Sequence, residues 1–379
     1  MLPLVAFLTS LFFFPVVGML TSAVDNGVLS KRLTSSNVAL AEWDGQSVPP
    51  EAAFTALADD FARADAAGEI VSLATEMNNT AAGFRSLVMR TQKALAQGSK
   101  ADGASFIEID RRWDDLSYWR ALKAASARFT DAHILAVLDL EHRDNGSIAL
   151  VPEDRRVYVP YLLRTLLVSL SVTVLCLVIG YPIAYAVAHA KGRMARILLL
   201  LIMLPFWTSL LVRTAAWVVI LQKQGMVNQA LMWLGLISEP VQLLFNRAGV
   251  LIGMTHVLLP FAILPLYAVM LNINPSQMRA AASLGARPFR SFLTIFLPQT
   301  VPGIVAGGLM VFILANGFYI TPALLGGAAD QLISALIADL AIGRANWAMA
   351  SALSLMLLLS LALVSLVFNR FARGAGVRV

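Results

Sequence analysis

Arg279-Ala280-Ala281-Ala282-Ser283-Leu284-Gly285-Ala286-Arg287-Pro288-Phe289-Arg290-Ser291-Phe292-Leu293-Thr294-Ile295-Phe296-Leu297-Pro298 decides how this chain folds. It carries three arginines and no acid, and it separates an apolar run at 248–272 from another at 297–318. Short loops rich in Lys and Arg stay on the cytoplasmic side of a membrane, so Arg279, Arg287 and Arg290 fix the side on which this loop lies. Small alanine side chains let a second surface approach closely, and glycine permits a tight turn between two short helices. A basic loop with no partner is the plainer reading.

Moving outward, further apolar segments lie near 160–188, 196–221 and 346–369, and Leu2–Val24 forms another. At 1.5 Å per residue each is long enough to cross a hydrocarbon layer ~30 Å thick, which gives six spans. Lys191, Arg193 and Arg196 fill one break, and Arg370, Arg373 and Arg378 the tail. With the Arg279–Arg290 loop these regions are cytoplasmic, so both termini lie inside and residues 25–157 are exported. The first run lacks a basic n-region and exceeds the usual h-region of ~7–15 residues, which favours a retained anchor over a cleaved leader. A start slightly upstream would account for the missing positive charges.

Composition agrees with a chain that sits largely in lipid. Of 379 residues 58% are hydrophobic and 14% charged, and the mean hydropathy is +0.72, far from a soluble domain. The net charge of +6 conceals a division: 20 of the 23 acids precede residue 158, leaving Glu239, Asp330 and Asp339. Residues 1–157 carry −5 and residues 158–379 carry +11, as an exported soluble segment and a membrane segment with basic loops would. Because the basic residues flank apolar spans, nucleic acid is not an expected partner. The single cysteine, Cys176, lies in an apolar run and reads as a packing residue. His133, His142, His189 and His256 lack metal-ligand spacing, so no metal site is expected.

Residues 25–157 read as helices and turns with a core of their own. Pro49-Pro50-Glu51 opens a pattern with Phe54, Leu57, Ala58 and Phe61 on one face, and Trp113–Phe129 gives a second helix with Trp119 and Leu122 three apart. Ala132–Leu140 suits helix or strand, and Asn145-Gly146 is a turn signal before the return to the membrane.

The Arg279–Pro298 stretch resembles the cytoplasmic signature of ABC importer permeases: Glu-Ala-Ala, three residues, Gly, nine residues, then Ile-x-Leu-Pro. Ala280, Ala281, Gly285, Ile295, Leu297 and Pro298 stand at the required offsets, and Arg279 replaces the usual Glu. Any contact that depends on a carboxylate at that position is therefore in doubt. Pro205-Phe-Trp207-Thr208-Ser209 through Arg213-Thr-Ala-Ala-Trp217, Gly225-Met-Val-Asn228, Leu264-Pro-Leu-Tyr267, Ile320-Thr-Pro-Ala-Leu-Leu-Gly-Gly327 and Asn346-Trp347-Ala-Met-Ala-Ser-Ala-Leu353 are similar to spermidine/putrescine-type permeases. A subset of these has a long exported insert, whose pattern Trp43-Asp-Gly45, Gly83-Phe-Arg-Ser-Leu87 and Tyr118-Trp119 resemble.

The resemblance implies an all-α membrane protein of the type I ABC importer permease fold. It would have a first transmembrane helix at 1–24, an extracytoplasmic insert at 25–157, a five-helix core at 158–370 with a docking loop at 273–296, and a tail at 371–379. It also implies an ABC ATPase subunit as partner, with ATP and Mg bound there and no cofactor in this chain, and a second permease subunit, a paralogue rather than a copy. An extracytoplasmic solute-binding protein and the surrounding membrane lipid complete the set, and the insert would extend contact with that protein or cap the membrane segment.

Arg213 draws attention without any family, because an arginine inside a span costs ~2.5–3.5 kcal/mol unless it is paired, snorkels or faces a cavity. With Trp207, Thr208 and Trp217 it is a candidate for lining a translocation path, though an interfacial belt and bonds to carbonyls explain these residues as well. Asn316 and Tyr319 are further path candidates that serve equally as bonds between helices. Pro260 and Pro265 should kink their span. No GxxxxGK[ST] loop occurs, so P-loop hydrolysis of ATP must belong to another chain, and no GxSxG or HExxH motif supports a membrane enzyme. A transmembrane sensor would need a cytoplasmic output domain. A secondary transporter would need paired acids in its spans, and only Asp339, in the marginal segment Gln331–Ile342, comes near.

Overall fold

In the computed structural model the described residues are 2–127, 129–143 and 147–374. The Asn145-Gly146 turn and Arg378 lie outside them. The protein divides into two compact units, one formed by Met1–Glu153 with Asp339–Leu355 and the other by Asp154–Ala338 with Met356–Val379. The fold is mostly helical, as the sequence implies, and among the described residues the only strands are a pair of three residues each.

In the first unit, α1 (Pro3–Thr21) is an exposed apolar helix long enough to span a membrane. There follow α2 (Gly27–Arg32), α3 (Thr34–Ala41), α4 (Glu51–Ala66), α5 (Ile70–Thr80), α6 (Phe84–Ala96), α7 (Gly103–Ile109), α8 (Leu116–Ser126) and α9 (Ala132–Val137). The strands β1 (Leu140–His142) and β2 (Ile148–Leu150) pair antiparallel. Ala132–Leu140, left open by the sequence, is thus a short helix that ends as β1 begins. The helix expected from Trp113 to Phe129 is, over Trp113–Ser126, the end of a 3-10 turn followed by α8, because Asp115 caps α8 by accepting from the Ser117 N–H at 2.9 Å.

Around Trp113 and Trp119 these helices close a core. The Phe54 ring lies 4.6 Å from Trp119 and 5.5 Å from Phe106, and the two indoles are 5.3 Å apart. Such pairs contribute ~0.5–1.5 kcal/mol beyond the area they bury. Both indole N–H groups are satisfied, Trp113 donating to Thr91 Oγ1 and Trp119 to the Trp113 carbonyl, each at 2.9 Å. Buried Asp60 on α4 accepts from the Ser36 N–H at 2.8 Å, the Ser36 hydroxyl at 2.6 Å and the Ser35 N–H at 3.1 Å. It thereby caps α3 from a neighbouring helix.

The second unit is built on α10 (Tyr158–His189), α14 (Arg247–Leu271) and α16 (Pro288–Gly317), with α11 (Gly192–Trp207), α12 (Leu210–Leu221), α13 (Met226–Trp233), α15 (Pro275–Ser283) and α17 (Ile320–Leu325) around them. Val172, Cys176, Met254, Leu258, Ala262 and Val311 are buried where α10, α14 and α16 meet. At Gly307 a Cβ would stand 2.9 Å from the Ala262 carbonyl oxygen, so only glycine lets α16 lie this close to α14. Pro260 and Pro265 sit inside α14, which continues through both. The last helices are α18 (Ile333–Gly343) and α19 (Trp347–Gly374), the latter capped by Asn346, which accepts from the Met349 N–H at 3.1 Å.

Among the described residues five helices are long and apolar enough to cross a membrane, and α11 with α12 makes a sixth span only as a pair bent by 98°. The apolar segment at 196–221 is thus two helices with a sharp bend between them. Thr208 and Ser209 adopt extended backbone, with ψ 143° and 141°, which ends α11 and starts α12 in a new direction.

Candidate functional site

The Arg279–Pro298 stretch folds as two short helices around a turn. Asn274 caps α15 through the Ser276 N–H at 2.9 Å, and Pro275 follows at the first helical position, where its missing N–H costs nothing. Gly285 ends the helix with φ +80°, a left-handed conformation that glycine adopts without strain. Arg287 is extended before Pro288 starts α16. Ala281 is buried, whereas Arg279, Ala280, Arg287 and Arg290 are exposed, with Leu284 88% and Phe289 74% exposed. Two large apolar side chains among arginines make this a surface suited to a partner. The sequence reading passed over Leu284 and Phe289, which no spacing rule singles out.

Beyond the turn, Phe292–Phe296, which contains Ile295, forms a π-helical turn that leads into Leu297 and Pro298 within α16. Tyr185 on α10 meets Phe296 at 5.3 Å and Phe292 at 6.0 Å, and the Tyr181 hydroxyl lies 3.1 Å from Thr300 Oγ1. The segment that follows the turn is thus packed against α10 by aromatic contacts.

The path candidates do not form one cluster. Trp207, 88% exposed, and Thr208, whose hydroxyl donates to the Pro205 carbonyl at 3.0 Å, stand at the break between α11 and α12. Trp217 on α12 donates to His256 Nδ1 on α14 at 3.1 Å, and Arg213 lies within electrostatic reach of that imidazole. The Arg213 Nε is buried without a hydrogen-bond partner. Thr214 Oγ1 meets Thr321 Oγ1 of α17 at 3.3 Å, and Tyr319 precedes that helix. Asn316 is fully buried on α16, donating to the Phe312 carbonyl at 2.7 Å and leaving its own oxygen unpartnered. His256 is a member of this region that the sequence reading dismissed with the other histidines.

Asn228 has a structural role that explains its place in the Gly225-Met-Val-Asn228 motif. Its amide donates to the Gln222 and Val241 carbonyls at 3.2 and 2.9 Å and accepts from the Val241 N–H at 3.0 Å, which closes the loop around α13. Among the described residues no three His, Cys, Asp or Glu side chains are grouped to hold a metal.

The family model for the binding-protein-dependent transport system inner membrane component matches residues 155–376. The spermidine/putrescine transport system permease protein PotB of Escherichia coli (strain K12) is 36% identical over 216 residues, covering 57% of this chain and 78% of that protein. PotB of Haemophilus influenzae is 37% identical over 213 residues, covering 56% and 74%. Among solved structures, a bacterial ABC transporter involved in the import of the acidic polysaccharide alginate aligns with TM-score 0.45 and 21% identity, over 57% of this chain and 79% of that one. The MetNI methionine ABC transporter in an inward-facing conformation gives TM-score 0.46 and 15% identity, over 58% and 96%.

Proposed function

Because the chain belongs to the family of binding-protein-dependent transport system inner membrane components, we propose that it is the multi-pass permease subunit of an ATP-driven importer of polyamines or related small polar solutes. Identity to PotB over most of that protein's length supports this solute class. The reading rests above all on the loop. Gly285 turns the chain between α15 and α16, and Leu284 and Phe289 stand exposed beside Arg279, Arg287 and Arg290. An ATPase subunit docks there, ATP and Mg bind in that partner, and this chain performs no catalysis.

The topology that goes with this role has both termini and the Arg279–Pro298 loop in the cytoplasm and residues 25–157 in the periplasm, a reading that the distribution of Lys and Arg supports. A second permease subunit, a paralogue, completes the path, and an extracytoplasmic binding protein delivers the solute. When the ATPases close, the loop moves, and the Tyr185–Phe296 contact carries that motion into α10 and α16, rocking the spans between inward- and outward-facing states. Arg213 is a structural cation beside His256 rather than a ligand for a polyamine, since like charges repel.

The test is to tag the chain, solubilise its native membrane gently and ask whether a P-loop ATPase co-purifies. Recovery of the ATPase should fall at least tenfold with Gly285→Asp, which places a Cβ at φ +80° and disturbs the turn. An unmodified chain that emerges without ATPase would overturn the reading.

A further inference from the structure

One cavity of about 220 Å³ lies wholly within the unit formed by Met1–Glu153 and Asp339–Leu355. Four separate stretches line it: the residues after α1, the C-terminal half of α5, His133 on α9, and the start of α19. Its chemistry is one-sided. Asp25 and Glu76 supply carboxylates, Asn79 and Asn346 supply amides, Trp347 supplies an aromatic surface, and no Lys or Arg is among the described lining residues.

The cation that reaches Glu76 is already engaged. Arg32 bonds Glu76 Oε1 at 3.0 Å and Glu69 at 3.2 Å, so one guanidinium serves two carboxylates and negative charge remains in surplus. Glu76 Oε2 is buried with no hydrogen-bond partner, an arrangement that leaves a carboxylate oxygen costly until a donor reaches it. Burial pushes the Glu76 carboxyl up despite Arg32, and burial pulls His133 down, so the imidazole brings no compensating charge at neutral pH.

We propose that this cavity binds a small organic ammonium ion, with Asp25 and Glu76 receiving its N–H groups and Trp347 covering its carbon chain. Carboxylates with an indole are the side chains that recognise alkylammonium groups, by charge-assisted hydrogen bonds and by attraction to the ring face. A bare metal ion fits poorly, because no three His, Cys, Asp or Glu side chains are grouped to hold one among the described residues. The volume also suits an organic molecule: at ~30 Å³ per water it equals about seven waters, room for a short aliphatic amine. The site is separate from the path candidates, all of which belong to the other unit. Its use as a waiting place for imported solute rests on the importer reading; the binding itself does not.

The full chain, purified in detergent without any binding protein, is dialysed to equilibrium against radiolabelled putrescine. One saturable site is expected, weakened at least tenfold by Asp25→Asn and by Glu76→Gln, and severalfold by Trp347→Leu, which leaves the Arg32 pairs intact should Glu76→Gln disturb folding. Lack of saturable binding, unchanged binding in Asp25→Asn and Trp347→Leu, or displacement by potassium at equal concentration would each overturn the proposal. ATPase co-purification from the same membranes reports separately on the importer reading.

Discussion

Asp110 shows how much one carboxylate organises in the first unit. It accepts from Arg112 Nε at 2.9 Å, from the second Arg112 guanidinium nitrogen at 2.7 Å and from Arg90 at 3.3 Å, while Arg112 reaches on to the Gly83 carbonyl at 2.9 Å. The bond to Arg112 holds the Asp110 carboxyl at about 2. Its folded value lies below the unfolded one near 3.9, so its contribution is complete above about pH 4 and disappears as pH falls towards 2. Thermal melting of Asp110→Asn should therefore fall short of the parent most clearly above pH 4, and the two curves should converge near pH 2. A gap of constant size across that range would mean that charge is not the cause. This anchor was not legible in the sequence, where Asp110-Arg-Arg112 is one charged triplet among several. Gly285 was legible, because a left-handed helix end is a local matter written in one residue and its neighbours.

Elements divide in the same way. Six apolar stretches were readable because the thickness of lipid demands length and hydropathy, and both are properties of a window. The 98° break at Thr208-Ser209 was not, since two extended residues barely alter the hydropathy of the run around them. Contacts between helices were also hidden. Gly307 reads as one of several glycines, yet its missing Cβ sets the distance between α14 and α16. Gly307→Val should force these helices apart, and overpacking of this kind costs ~1–3 kcal/mol. A lower temperature of aggregation in detergent, measured by fluorescence-detected gel filtration, would register it. An unchanged value would mean that the helices part without loss.

For the molecule as a whole, charge alone divides the chain near residue 157, but it does not reveal the closing piece of the first unit. Asp339–Leu355 belongs to the same compact unit as Met1–Glu153, a pairing across nearly two hundred residues that no local pattern announces. The ammonium cavity was invisible for the same reason, since its walls come from both ends of that separation. If the chain is split between Glu153 and Asp154, the 1–153 fragment should be cut rapidly by trypsin when made alone and be protected when 154–379 is made with it. Equal resistance in both cases would mean that the N-terminal segment is complete without its distant piece.

The divided unit also sets a clock on biosynthesis. Some two hundred residues separate Glu153 from Leu355, and ribosomes add ~5–20 residues each second, so the N-terminal segment waits roughly 10–40 s for its last wall. For that time Glu76 and Trp347 cannot share a cavity, and the half-made chain has no amine pocket to fill.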